Sequence, residues 1–293
     1  MFTNNDKRLE DKVRVVVLNT NFYYMYNDVS GLGKDPAGQF AWLDSVLSNA
    51  STNGEKIHLI FHIHPGYLGS NRIYWFKPAY NVVFNELCRR YASIIVGMYT
   101  GHSHTDTFRL IYKNGKPVAS MLVAPSVTPW RARIPGNRLT PARNPGIRRV
   151  MMTSDYTRLL DVEQYYLPLA EANERGVDEW KLEYSFTKNY GLKDATTASL
   201  QTLLDDFKGT RSTNFDQYYT FNSANAQTKS NVPCSCECRN LHLCAIEYID
   251  YDDCETCNER TAKCSGASDV VGRPGTLCVL LCYAFYIAVF FSV

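Results

Sequence analysis

Three short apolar runs dictate the architecture. Val13-Arg14-Val15-Val16-Val17-Leu18, Ile57 to Phe61 and Ile94 to Tyr99 are each five or six residues long. They are too short and too rich in β-branched residues for helices, so they read as strands. Segments of helical period separate them. Asp35-Pro36 supplies a cap and a first-turn proline for a helix whose apolar face is Phe40, Leu43, Val46 and Leu47. Pro78 opens a second helix, with Val83, Phe84, Leu87 and Tyr91 on one face. Phe108 to Tyr112 and Val118 to Val123 flank Lys113-Asn114-Gly115-Lys116, and Asn-Gly suits the type I′ turn of a hairpin. The order strand, helix, strand, helix, strand, hairpin predicts a layered α/β sheet.

Two of these strands lead into histidine. Ile57–Phe61 runs into His62-Ile63-His64-Pro65-Gly66, and the third run leads into Gly101-His102-Ser103-His104-Thr105-Asp106. Loops at the C-terminal ends of strands are where α/β sheets build their sites. Imidazole is the commonest metal ligand and titrates near neutral pH. Two histidine loops converging on one point therefore predict a metal centre assembled from distant sequence. His58 lies inside its strand and reads as a hydrogen-bonded core residue. Asp106 either orients a histidine or starts the next turn. Arg131, Arg133, Arg138 and Arg143 read either as a solvated loop or as a face for anionic phosphate or lipid.

Beyond about residue 160 the pattern changes. Glu163–Glu174 and Thr196–Phe207 read as helices, and Gly209–Pro233 as a polar extended connection. The 293 residues suffice for one large domain and a smaller one, and a net charge of +2 argues against a nucleic-acid partner. Of ten cysteines, only Cys88 precedes Cys234, seven lie between Cys234 and Cys264, and Cys278 and Cys282 sit near the end. Such clustering points to a disulfide-stapled module from an oxidising compartment, although Cys254-x2-Cys257 also has zinc-ligand spacing. Asn49-Ala50-Ser51 is a glycosylation sequon. Residues 276–293 carry no charge and follow Ser265-Gly266-Ala267-Ser268 and a spacer. That is the pattern of a GPI-attachment signal, or of a transmembrane anchor. Met1 to Arg8 contain no apolar leader. A secretory C-terminus without one creates the expectation that the front of a longer protein lies upstream of Met1.

Gly101-His102-Ser103-His104 resembles the Gly-His-[Thr/Ser]-His block of the calcineurin-like metallophosphoesterases. His62-Ile63-His64-Pro65-Gly66 resembles their His-x-Pro-Pro-Gly loop. Leu18-Asn19-Thr20-Asn21, Pro125-Ser126-Val127-Thr128-Pro129, Asn144-Pro145-Gly146-Ile147-Arg148, Gln164-Tyr165-Tyr166-Leu167 and the late cysteines resemble one branch. That branch is acid sphingomyelinase and the acid sphingomyelinase-like phosphodiesterases. The resemblance runs from about Val13 to Cys264.

What it implies is specific. Residues 1–160 would be the second half of a catalytic domain, a layered α/β sandwich flanked by helices. Residues 161–264 would be a helical, disulfide-rich subdomain, and 265–293 a hydrophobic tail. The cofactor would be a zinc pair, with His62 and His102 on one ion and His104 on the other. His64 stands where the family has proline, and is either a surface substitution or a donor behind the ligands. Asn144 and Arg148 lie on a loop that approaches the substrate mouth in the family, although a turn role for Asn144-Pro145-Gly146 is as natural. The family's Asp-x-His, Gly-Asp and Gly-Asn-His blocks do not occur before Val13, so three imidazoles would form half a site. The implied function is hydrolysis of a phosphodiester, either sphingomyelin-like lipid or nucleotide, outside the cell, at its surface through the C-terminal tail, or in the lysosome. The alternative is a catalytically inactive cell-surface binding protein.

Overall fold

The computed structural model describes residues 5–29, 33–68, 73–131, 133–134, 138–140, 142–209, 211–226 and 233–261. The tail at 265–293 lies outside them. Strands β1 (Asn5–Glu10) and β2 (Val13–Leu18) form an antiparallel hairpin. Helix α1 (Gln39–Thr52) follows a short 3-10 turn at Pro36–Gly38. The Asp35 carboxylate accepts the N–H groups of Phe40 at 2.8 Å and Ala41 at 3.0 Å, so it caps α1 across the turn. Next come β3 (Lys56–Phe61), a small ribbon of β4 (Tyr67–Leu68) with β5 (Ile73–Tyr74), and α2 (Pro78–Arg90) with proline at its start. Strand β6 (Ile95–Thr100) precedes the hairpin of β7 (Thr107–Lys113) and β8 (Lys116–Val123). Asn114 and Gly115 turn it at φ 51° and 71°, as the type I′ geometry requires.

The second half adds a ribbon, β9 (Arg133–Ile134) with β10 (Arg138–Leu139), then β11 (Gly146–Met152) and β12 (Leu159–Tyr166). Helix α3 (Leu169–Arg175), β13 (Lys181–Ser185), α4 (Phe186–Tyr190), α5 (Thr197–Lys208) and α6 (Thr213–Phe221) follow. The chain then enters α7 (Cys236–Glu247) and α8 (Tyr251–Thr261). The main sheet has six strands in the order β1-β2-β3-β6-β8-β7, and β11-β12-β13 form a second, antiparallel sheet. Within the main sheet β2, β3, β6 and β8 run parallel.

Two cores lie on the two faces of the main sheet. On one face Leu59, Met98 and Met121 pack with Leu43 and Leu47 of α1 and Phe84 and Leu87 of α2. On the other, Phe108, Leu110 and Leu122 pack with Leu159 and Val162 of β12 and with Leu200, Leu204 and Phe207 of α5. A boundary at residue 160 therefore falls inside β12, and residues on either side of it share a core. The structure is a mixed α/β fold, helix-flanked, with a disulfide-rich helical C-terminal region. Cys234 pairs with Cys238, and Cys244 with Cys257, so Cys257 is not a zinc ligand. Cys88 is a buried thiol on α2. Among the described residues no helix is long and apolar enough to cross a membrane.

One helix expectation and one coil expectation are corrected. Residues 163–166 finish β12, and the helix begins only at Leu169. Tyr165 and Tyr166 favour a strand, and Pro168 holds the residue before it extended. The expected coil from 209 to 233 contains α6, capped by the Ser212 hydroxyl on the Phe215 N–H at 3.1 Å. Its polar sequence hides a tight anchor, since Phe215 and Tyr218 bury one side of a single turn.

One apolar row crosses five strands. Val17 pairs with Ile60, Ile60 with Tyr99, Tyr99 with Leu122 and Leu122 with Phe108. Phe108 and Leu122 are each 2% exposed beneath the second core, but Val17 is 42% and Ile60 41% exposed. An open β-branched face beside an edge hairpin favours self-association. The chain purified alone is expected to sediment as mixed oligomers. Val17→Thr with Ile60→Thr should shift it towards monomer, and an unchanged distribution would contradict this.

Candidate metal centre

Parallel pairing of β3 with β6 sets the two histidine loops side by side. The Gly101 N–H donates to the His62 carbonyl at 3.0 Å and ties one loop to the other. Past Gly101 the chain turns sharply. The Ser103 N–H donates to the Gly101 carbonyl at 2.9 Å, with His102 at φ 70° and His104 at φ 56°. Left-handed backbone at two non-glycine residues costs about 1–3 kcal/mol each and accumulates where a site needs it.

The turn brings His102 Nδ1 within 3.3 Å of His62 Nε2. Aromatic rings hold the pair. Tyr24 and Trp75 meet the His102 ring edge to face, with centroids at 5.0 and 4.5 Å. Burial first, then the neighbouring imidazoles of His62 and His104, bring His102 down to about 4. Burial also lowers His62, and burial followed by the Arg143 charge lowers His104. All three are thus neutral at physiological pH, the form that carries a lone pair for a metal.

The donor set fits zinc. Two nitrogens on one tetrahedral zinc, each at about 2.05 Å, stand about 3.3 Å apart. Without metal, the same separation suits one hydrogen bond between neutral rings. His102 Nε2 is buried and has no hydrogen-bond partner. Among the described residues one triple of His, Cys, Asp or Glu donors lies within 4.8 Å, and it is Cys234, Cys238 and His242. Its two sulfurs are joined in a disulfide and offer no thiolate. His104 therefore stands apart from the His62–His102 pair, its ring 4.8 Å from that of Trp130.

The other residues singled out from sequence serve the framework. His58 is buried between the Tyr99 hydroxyl at 3.0 Å and the Tyr156 carbonyl at 2.8 Å. His64 is fully buried, with Nδ1 2.8 Å from the Pro65 carbonyl and its ring edge-on to Trp75. It thus sits behind the ring that packs on His102. The Asn144 amide donates to the Ala224 carbonyl at 2.7 Å and accepts the Leu169 N–H at 3.1 Å, as a clip between segments. A Cβ at Gly146 would lie 2.5 Å from Pro125 and 2.9 Å from Gln164, so only glycine allows β11 to pass that loop. Asn49 is exposed on α1, bonded through its side chain to Asn53.

Arg148 is buried and ion-paired with Asp106, and it also donates to Gln164 and to the Val123 carbonyl. Asp106 accepts from the Tyr184 hydroxyl at 2.8 Å, and the Asn222 amide donates to its carbonyl at 2.7 Å. This network fastens the end of the histidine loop to the second sheet. Sequence spacing gives no sign of it, because its members come from β11, β12, β13 and the end of α6. The same holds for Tyr24 and Trp75.

A family description for the acid sphingomyelin phosphodiesterase C-terminal region matches residues 116–264. The chain is 36% identical over 270 residues to human acid sphingomyelinase-like phosphodiesterase 3b, covering 92% of this chain and 57% of that protein. It is 39% identical over 248 residues to bovine cyclic GMP-AMP phosphodiesterase SMPDL3A, covering 83% and 54%. With bovine sphingomyelin phosphodiesterase it shares 31% over 242 residues, covering 80% and 35%. The chain belongs to the acid sphingomyelinase family of phosphodiesterases through its C-terminal region. It spans about half the length, or less, of these relatives.

Glu183 extends the buried network. Neither of its carboxylate oxygens has a hydrogen-bond partner. Burial, then the charge of Asp106, pushes it up to about 9, against the pull of Arg148. Asp106 holds the donors, so Glu183 holds the proton. Its ordinary value is 4.5, so between there and about 9 the folded state binds more protons than the unfolded. Stability therefore falls as pH rises through that window. Glu183→Gln removes the slope and should be more stable than wild type at pH 7 by roughly 1–3 kcal/mol, the two converging in acid. Chemical denaturation across the window reads this, and a flat wild-type profile would contradict it.

Proposed function

We propose that the protein is a metal-dependent phosphoric diester hydrolase of the acid sphingomyelinase-like type. In this reading the chain contributes one wall of a metallophosphoesterase-type sandwich, with His62 and His102 holding one zinc and His104 a second. The observation that carries it is the 3.3 Å approach of two neutral imidazole nitrogens from separate strand-end loops. The relatives' names support the chemistry, since one is a sphingomyelin phosphodiesterase and another a cyclic GMP-AMP phosphodiesterase. When bound, a zinc pair supplies Lewis-acid polarisation of a phosphoryl group and an activated nucleophile.

The chain's own residues then do three things. The Gly101–His62 bond and the rings of Tyr24 and Trp75 orient the pair. Burial keeps His102 neutral in acid. The Asp106–Arg148 pair holds the loop's exit against the second sheet. Two disulfides in the C-terminal region support an oxidising, secretory location. Residues 265–293 would anchor the protein at the cell surface, and Asn49 would carry a glycan.

Zinc affinity tests this directly. An ordinary imidazole, near 6.5, loses metal to protons between pH 7 and 5, but His102 at about 4 does not. Chelator competition on the protein is expected to give a zinc affinity that falls less from pH 7 to 5 than ordinary imidazoles would give, since burial lowers His62 as well. His62→Ala or His102→Ala removes a ligand outright and should weaken binding by more than the roughly 10- to 100-fold that loss of a group merely orienting a ligand costs. Zinc-dependent hydrolysis of bis(p-nitrophenyl) phosphate should fall with it. Wild-type zinc affinity in His102→Ala would overturn the metal assignment. Zinc binding with no turnover in the whole protein would favour the binding-protein reading.

A further inference from the structure

Beside His104 the chain builds a second feature that the metal reading does not use. After β8 the chain runs through Pro125-Ser126-Val127-Thr128-Pro129 to Trp130, then returns at Arg143. The Arg143 N–H donates to the Trp130 carbonyl at 2.9 Å and closes the loop. The Trp130 ring lies 4.8 Å from that of His104. The Arg143 guanidinium sits over the same indole, its carbon 5.2 Å from the ring centroid. One of its N–H groups donates to the His104 carbonyl at 2.7 Å. Histidine, indole and guanidinium are all half-buried, at the edge of the candidate centre.

The charge balance here is one-sided. A guanidinium has five N–H donors, and Arg143 spends one on His104. Among the described residues no carboxylate pairs with it. That contrasts with Arg148, buried against Asp106. A half-buried cation without a counter-charge is a poor structural element but a good receptor for phosphate, which guanidinium binds through paired hydrogen bonds.

The same stack settles what the indole can hold. Quaternary ammonium groups are recognised by aromatic faces, and an exposed tryptophan beside a phosphoryl centre would suit the choline of a phosphocholine ester. Here Arg143 already lies over the Trp130 ring. A trimethylammonium group approaching it meets a fixed like charge, and an additional phosphate meets an opposite one.

We propose that Arg143, stacked on Trp130, is a specificity-determining residue that selects phosphodiesters carrying a further negative charge, as nucleotides do, and disfavours phosphocholine esters. This rests on the phosphodiesterase reading and chooses between its two substrate classes.

Equilibrium binding of ADP and of phosphocholine to the full chain tests it without turnover. Wild type should bind ADP more tightly than phosphocholine. Arg143→Ala should weaken ADP roughly tenfold or more, the worth of a charge-assisted contact, while phosphocholine binding stays the same or tightens. Arg143→Lys, which keeps the charge but loses the paired donors and guards against a folding defect in the alanine variant, should bind ADP more weakly than wild type and more tightly than Arg143→Ala. A purely structural role would weaken both ligands together, so effects of opposite direction are the signature. Equal losses for both ligands, unchanged ADP affinity in Arg143→Ala, or wild-type preference for phosphocholine would each overturn the proposal. Failure of the phosphodiesterase reading shows separately, as zinc binding or hydrolysis that does not respond to His102→Ala.

Discussion

The parallel pairing of β3 with β6 is the constraint on which the site depends. The two strands are 34 residues apart at their closest ends, and nothing local would bring His62 to His102. Their ladder does so, and the Gly101–His62 bond continues it for one more step beyond the strands. The ladder holds because both strands are packed against α1 and α2, through Leu59 and Met98 among others. Burial of that face is therefore the remote cause of a 3.3 Å nitrogen–nitrogen approach at the strand ends.

A strained loop needs a rigid frame, and the second sheet supplies one. His102 and His104 occupy left-handed backbone, which would relax if the loop were free to move. Two residues later Asp106 is fixed by Arg148, Tyr184 and Asn222. The cost of burying these charges is offset by the completeness of their pairing, except at Glu183, whose oxygens have no donor. That single unmatched carboxyl makes the frame sensitive to pH. Its protonated form is the one that leaves the frame most stable, and His102, held down to about 4, stays neutral over much of the same acid range.

Short-range chemistry made much of this legible. Asn114-Gly115 named its turn, Pro78 its helix start, and Phe40, Leu43, Val46 and Leu47 the buried face of α1. The glycine and histidines at the end of the third apolar run marked the site. What escaped was tertiary. Residues 163–166 run on into the polar segment of α3 and read with it as one helix, whereas pairing with β11 and β13 adds to the strand preference of Tyr165 and Tyr166 and separates them from it. Helix α6 buries just Phe215 and Tyr218 from an otherwise polar segment. The rings around His102 and the Arg143–Trp130 stack come from positions far apart in the chain, and no periodicity links them.

Donor chemistry separates the two places where this chain gathers histidine with other candidate ligands. At the strand ends the donors are imidazole nitrogens. On α7 His242 lies beside two cysteine sulfurs joined to each other. X-ray absorption at the zinc edge on the zinc-loaded chain distinguishes them. Coordination by His62 and His102 predicts a nitrogen and oxygen shell with outer-shell imidazole scattering, lost in His62→Ala. Sulfur scattering at about 2.3 Å, or an imidazole signal indifferent to His62, would contradict the assignment.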